Sequence, residues 1–395
     1  MHSGVLFLTL KVFSSTGGIE KVCRIAGKAM YENCTRFNKR LQIFSMHDNR
    51  ESAADNLYFP MEIFTAFDAH KINFMRDALK QGRKSQVIIL SHINLLLAAW
   101  LIKKVHPSVK VILFAHGIEV WQPLNNFKRK MLDCCDEIVS VSEYTRDKMI
   151  EVHKVDPSKC SVMNNCLDPF LPLSKNVKVS LELKEKYGFR STDRILFTLT
   201  RLSAKERYKG YDKVMEAMVQ IGDKDVRYLI AGSYDAAEKE YIDAVIARLK
   251  LEGRVALAGF IPDEEVATHF AMSDCYVMPS IKEGFGIVFI EAMYYGLPVI
   301  AGNADGSVDA LRKGKLGLLV DPNNVTEIKS AILEVLNNKE RYLPDEKLLL
   351  ENFSYDSYKE KMNALFNKIE GWELEGSGLK VITNRGAQMR APEKV

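Results

Sequence analysis

The chain has 395 residues, with 55 lysines and arginines against 51 aspartates and glutamates and a formal charge of +4. That length exceeds one ordinary core and predicts two domains, while so mild a charge gives no support to a concentrated nucleic-acid-binding face. Seven cysteines, with no C-x2-C pair and with Cys134 next to Cys135, predict reduced thiols in a cytoplasm rather than a disulfide framework or a zinc site.

The N-terminus runs at once into the strand-like Val5-Leu6-Phe7-Leu8, without a basic n-region or small-residue cleavage site, so no signal peptide is expected. Further strand-like runs are Leu41 to Ser45, Val87 to Leu90, Val109 to Phe114, Glu137 to Ser142 and Ser161 to Met163. A second series follows: Arg194 to Leu199, Val226 to Ala231, Arg254 to Ala258, Cys275 to Met278, Leu297 to Ala301 and Gly317 to Val320. Helical stretches alternate with these runs, which predicts parallel sheets covered by helices on both faces. The segment Val87 to Ile102 is broken by Ser91, His92 and Asn94 and is shorter than the roughly 20 residues of a membrane span. Pro169, Pro172 and Ser174-Lys175-Asn176 suggest a linker between the two series. The expected organisation is a domain at 1–175, a second at 180–352, a helix at 354–370 and a polar tail at 371–395.

Gly17 and Gly18 follow the first strand, where paired glycines let a ligand approach backbone N–H groups at a helix N-terminus. They do not form G-x-G-x-x-G, and a tight turn accounts for them equally well. His92 and His116 end two strands, so in a doubly wound sheet they would face the cleft. There an imidazole can donate to a hydroxyl or carry a proton near neutral pH, although an isolated histidine is more often a buried structural one. Arg201 to Lys209 holds four cations in nine residues before Gly210. Such a loop could clamp a diphosphate, or be a solvated basic surface. Gly232 and the Phe260-Ile261 turn end two further strands, where backbone groups can read a base edge.

Glu283 and Glu291 stand eight positions apart, the first at a turn carrying Gly284, Phe285 and Gly286, the second in a helix from about Gly286 to Tyr295. Free N–H groups around Gly284 to Ile287 suit a phosphate, and carboxylates beside them suit a polyol. Taken singly, Glu283 is as well explained as a helix-dipole cap and Glu291 as a solvated glutamate.

The stretch from Glu283 to Glu291 resembles the E-x7-E signature of glycosyltransferase family 4, whose members are retaining, nucleotide-sugar-dependent enzymes. The histidine run Ala115 to Trp121 and the Arg201…Lys209-Gly210 element occur in the family's order, and the resemblance covers about Val5 to Ile369. It implies an α/β GT-B fold: two doubly wound Rossmann-like domains facing across a cleft, with a C-terminal helix crossing back to the first. It also implies that Arg201 and Lys209 neutralise the leaving diphosphate, with Lys205 as an alternative to Lys209. Glu283 would orient the donor sugar and Glu291 the ribose. His116 would lie near the reacting centre and His92 near the acceptor. Gly17, Gly18, Gly232, Phe260, Ile261, Gly284, Phe285, Gly286 and Ile287 would line the donor.

The expected reaction moves a hexose from GDP-mannose or a UDP-sugar to a saccharide or polyprenyl-linked acceptor in cell-surface polysaccharide or glycolipid synthesis. No cofactor is expected, and no metal, since no D-x-D feature is positioned to hold one. A sugar-nucleotide epimerase, a phosphorylase or a silent nucleotide-sugar-binding subunit would share the architecture. Basic and aromatic residues at Phe127-Lys128-Arg129-Lys130 and Lys103-Lys104 would suit peripheral contact with an anionic membrane, or simply a solvated face.

Overall fold

The structure, a computed structural model, describes residues 4–173, 177 and 181–372. Among the described residues, thirteen strands form two parallel sheets. The first contains β1 (Gly4–Thr9), β2 (Arg40–Ser45), β3 (Phe64–Ala66), β4 (Val87–Leu90), β5 (Lys110–Ala115), β6 (Glu137–Ser140) and β7 (Cys160–Val162), in the order β3-β2-β1-β4-β5-β6-β7. The second contains β8 (Arg194–Leu199), β9 (Val226–Ala231), β10 (Val255–Gly259), β11 (Cys275–Met278), β12 (Val299–Gly302) and β13 (Leu318–Val320), in the order β10-β9-β8-β11-β12-β13. Inner strands such as β1 and β4 are buried along their whole length, as continuous apolar runs covered on both faces require.

The strand order reverses between β1 and β4 in one sheet and between β8 and β11 in the other. Loops leaving the carboxyl ends of such neighbours diverge and open a crevice. The loops after β1 and β4 carry Gly17 and His92, and those after β8 and β11 carry Arg201 and Glu283. Topology alone therefore directs four of the candidate residues toward two crevices.

The first helix, Gly18–Arg36, buries Val22, Cys23, Ile25, Ala26, Ala29 and Met30, a spacing that lays one stripe onto the sheet. The closing helix, Tyr355–Glu370, buries Tyr358, Met362, Leu365 and Phe366 in the same core. It thus returns from the second sheet to the first domain, each buried side chain stabilising the return by roughly 1.5–3 kcal/mol. The core continues into the stretch expected to be a polar tail: Trp372 is buried and stacks on Phe366 at 4.5 Å between ring centres. An aromatic ring at the helix end reaches apolar surface that composition beyond Gly371 does not suggest. The linker residues Ser174-Lys175-Asn176 and the remaining tail, 373–395, lie outside the described residues.

Candidate functional site

The turn from Pro279 to Gly286 links β11 to the central helix, Ile287–Tyr294. Asp305 shapes this turn from below: its Oδ2 accepts from the Glu283 N–H at 2.6 Å and its Oδ1 from the Ser307 N–H at 2.9 Å. In return the Gly306 N–H donates to the Glu283 carbonyl at 2.9 Å. Burial, with the field of Glu283 adding to it, pushes Asp305 up to about 7 against the hydrogen bonds that favour its charged form.

On this platform Glu283 receives the ammonium of Lys209 in an enclosed ion pair. Burial works against the Lys209 charge, but the Glu283 carboxylate outweighs it and holds the pKa above the ordinary lysine value. Lys209 reaches this position because Arg207 anchors the preceding loop. Its guanidinium donates to the buried Glu238 at 2.9 to 3.2 Å and lies 3.5 Å over the Tyr241 ring. Lys205, by contrast, is exposed on the loop surface, so the structure brings Lys209 and not Lys205 to Glu283. Arg201 is also exposed, and one edge of its guanidinium donates bidentately to Glu206, Nε at 2.7 Å and Nη2 at 2.5 Å.

Glu291 projects from the middle of the central helix and pairs with Lys21 of the first helix. The two domains meet again where Gly117 abuts Gly284. A Cβ on Gly284 would lie 1.9 Å from the His116 carbonyl oxygen, so only glycine permits this approach. Gly117 itself has φ of 146°, and Glu119 fixes its turn by accepting from the His116 and Gly117 N–H groups at 2.6 and 3.2 Å.

His116 sits beside this contact. Its Nε2 lies 2.9 Å from the Ser91 carbonyl, which can only accept, so Nε2 carries the proton. Its Nδ1 is buried and has no partner among the described residues. Burial lowers the His116 pKa to about 4. In this enclosure the ring is held neutral, with its Nδ1 a bare acceptor. His92 is half-buried, and its Nδ1 accepts from the Asn94 N–H at 3.0 Å. Burial again pulls its pKa down.

Several expected donor-lining residues have a buried side chain or none. Phe285 is buried against Phe353, and Ile261 belongs to the second domain's core. Gly232 has φ of 137° and tucks under Thr200, while its N–H is spent on the Gly259 carbonyl at 2.8 Å. Phe260 is exposed, Gly17 caps the first helix, which Gly18 begins, and Gly286 caps the central helix, which Ile287 begins. Sequence reading assigns no role to Lys21, Glu119, Glu206, Glu238 or Asp305, and it does not separate Arg207 from the other cations of its loop. The one available signal was Lys21, a cation in a first helical turn, where the dipole disfavours it.

Beside His92, the Lys128 ammonium bonds the Asn94 side chain at 2.7 Å. From there Leu97, Trp100, Lys104 and Phe127 form a surface patch, with Trp100 and Phe127 rings 6.3 Å apart and Lys104 over Trp100 at 5.3 Å. Lys103 does not join it, being paired with Asp136. No helix among the described residues is long and apolar enough to cross a membrane.

Comparison with known proteins gives two family matches, "Glycosyltransferase Family 4" over residues 30–169 and "Glycosyl transferases group 1" over residues 179–359. A GDP-mannose-dependent alpha-(1-6)-phosphatidylinositol monomannoside mannosyltransferase of Mycobacterium tuberculosis is 29% identical over 59% of this chain and 62% of its own length. The N-acetyl-alpha-D-glucosaminyl L-malate synthase of Bacillus anthracis is 26% identical over 62% of this chain and 63% of its own. The chain thus spans somewhat under two thirds of each relative. Among solved structures, Anabaena HepE in complex with UDP and glucose superposes with a TM-score of 0.74 at 17% identity, over 93% of this chain and 100% of that one.

Proposed function

Because the chain belongs to the family 4, group 1 glycosyltransferases and has their GT-B fold, we propose that it transfers a hexose from a nucleotide-diphosphate sugar to an acceptor hydroxyl, keeping the anomeric configuration and using no metal ion. The observation that carries this reading is the meeting of Lys209 with Glu283 and of Lys21 with Glu291 at a contact between two parallel-sheet domains. The cations answer a diphosphate and the carboxylates answer hydroxyls, in one crevice.

In this reading Arg201 and Lys209 exchange their carboxylate partners for the donor diphosphate and stabilise the charge that grows as the sugar departs. Backbone N–H groups from Gly284 to Ile287 add the positive end of the central helix. Glu283, freed from Lys209, accepts from sugar hydroxyls, and Glu291 accepts from the ribose. Gly17 and Gly18 bring first-domain backbone to the diphosphate, Gly232 flanks it, and Phe260 and Ile261 border the base. His116 contributes its Nδ1 as an acceptor near the reacting centre, and His92 faces the acceptor. The donor is GDP-mannose or a UDP-sugar, by likeness to the mycobacterial relative and to the UDP-bound neighbour. The Trp100, Phe127 and Lys128 patch adjoining His92 would rest on an anionic membrane surface and present a lipid-linked saccharide, in a cytoplasmic enzyme of surface-glycan synthesis.

The test is to incubate the protein with UDP- and GDP-sugars and a panel of saccharide acceptors, following nucleotide release and the anomeric configuration of the product. Transfer with retention, unaffected by a chelator, is expected. Epimerised donor, or release that requires inorganic phosphate, would contradict the assignment.

A further inference from the structure

Lys21 lies in the first turn of the first helix, its backbone N–H closing onto the Gly17 carbonyl at 3.1 Å. That is the wrong end of a helix for a cation. The compensation comes from the other domain: its ammonium pairs with Glu291, 270 residues away in sequence. Side-chain exposure is 25% for Lys21 and 8% for Glu291, so the pair is largely withdrawn from solvent screening. Burial works against the Lys21 charge, but Glu291, joined by Asp168 and Asp263, holds its pKa above the ordinary value.

Glu291 stands among the buried Phe289, Ile290, Ala292 and Met293, where an uncompensated carboxylate would be strongly destabilising. Lys21 bonds its Oε1. Among the described residues no protein donor reaches Oε2, which leaves one carboxylate oxygen committed and the other open.

We propose that Lys21 is the positioning residue for nucleotide ribose recognition: from the first domain it fixes the Glu291 carboxylate so that the second oxygen accepts from the ribose hydroxyls. This rests on the nucleotide-sugar reading above. Ribose recognition then belongs to both domains, since the acceptor stands on one and the group that aims it stands on the other. A lysine suits this role as a compact charge with donors to spare beyond the one given to Glu291.

The test is calorimetric titration of the full chain, as wild type, Lys21→Met and Lys21→Arg. The probes are UDP and GDP, each beside its 2′,3′-dideoxy counterpart. Wild type should favour the ribonucleotide. Lys21→Met should weaken ribonucleotide binding by about tenfold, as for loss of a charge-assisted contact, and leave dideoxynucleotide binding unchanged. Lys21→Arg should keep most of the discrimination. Equal weakening of both forms, as a merely structural pair would give, overturns the proposal, and so does discrimination that survives Lys21→Met. Wild type that binds no nucleotide overturns the underlying reading and the proposal with it.

Discussion

Asp305 carries no expected contact with substrate, yet it sets the backbone on which Glu283 stands, and burial raises its pKa to about 7, near neutral pH. For a carboxyl whose folded pKa is raised from 3.8, the stability contribution is fully present below 3.8 and is lost as pH rises to about 7. Wild type should therefore lose stability relative to Asp305→Asn between pH 4 and pH 7.5, read as the difference in Tm at the two values. A difference that does not change with pH would refute the assignment. At the clamp, Arg201→Ala should lower kcat/KM for the donor by roughly 10²-fold, the usual effect of removing one preorganised donor to developing charge. Donor affinity and turnover both left intact would remove Arg201 from the diphosphate site.

At the scale of elements, the loop before Lys209 shows how a candidate site side chain depends on a structural one. Arg207 ties the loop to Glu238, which is fully buried and also receives the Tyr211 hydroxyl. Arg207→Ala should cost on the order of 2 kcal/mol, because it strands that carboxylate while part of the lost pair was solvent-exposed. Chemical denaturation checks the value; an unchanged midpoint would show the anchor to be dispensable. The run Arg201 to Gly210 announced cations but not their division of labour. Local sequence marks Lys205, Arg207 and Lys209 alike, and only the position of Glu238 and Glu283 separates them.

The same limit governs the rest of the reading. Strands β8, β9 and β11 coincide with the apolar runs Arg194 to Leu199, Val226 to Ala231 and Cys275 to Met278, because both-face burial writes continuous hydrophobicity into the sequence. Strand β3, Phe64-Thr65-Ala66 with only Phe64 buried, carries no continuous apolar run and is not expected from the sequence. The partners of Lys21 and Asp305 are not legible in the sequence because the fold brings them together: Lys21 finds Glu291 on another domain, and Asp305 binds a backbone N–H that has no sequence signature.

For the whole molecule, the decisive geometry is the meeting of domains. The cleft is bridged by Lys21 with Glu291, by the Glu143 N–H donating to Asp309 at 3.1 Å, and by Gly117 against Gly284. Gly284→Ala would force a Cβ into the His116 carbonyl and push the domains apart. Nucleotide binding should weaken by no more than the roughly tenfold expected for loss of the Lys21 contact with Glu291, while transfer should fall about 10²-fold through misplacement of the reacting groups. Steady-state kinetics beside nucleotide titration separates the two effects, and unimpaired transfer would show that this contact is not needed for turnover.

Whether this crevice receives a nucleoside diphosphate carrying a sugar is read from the melting temperature of the full chain with UDP, GDP and ADP. A ligand that binds only the folded state must raise its stability, by about 2.7 kcal/mol at a hundredfold excess over Kd. A rise of several degrees with UDP or GDP, lost in Arg201→Ala, is expected. No rise with any of the three would contradict that reading.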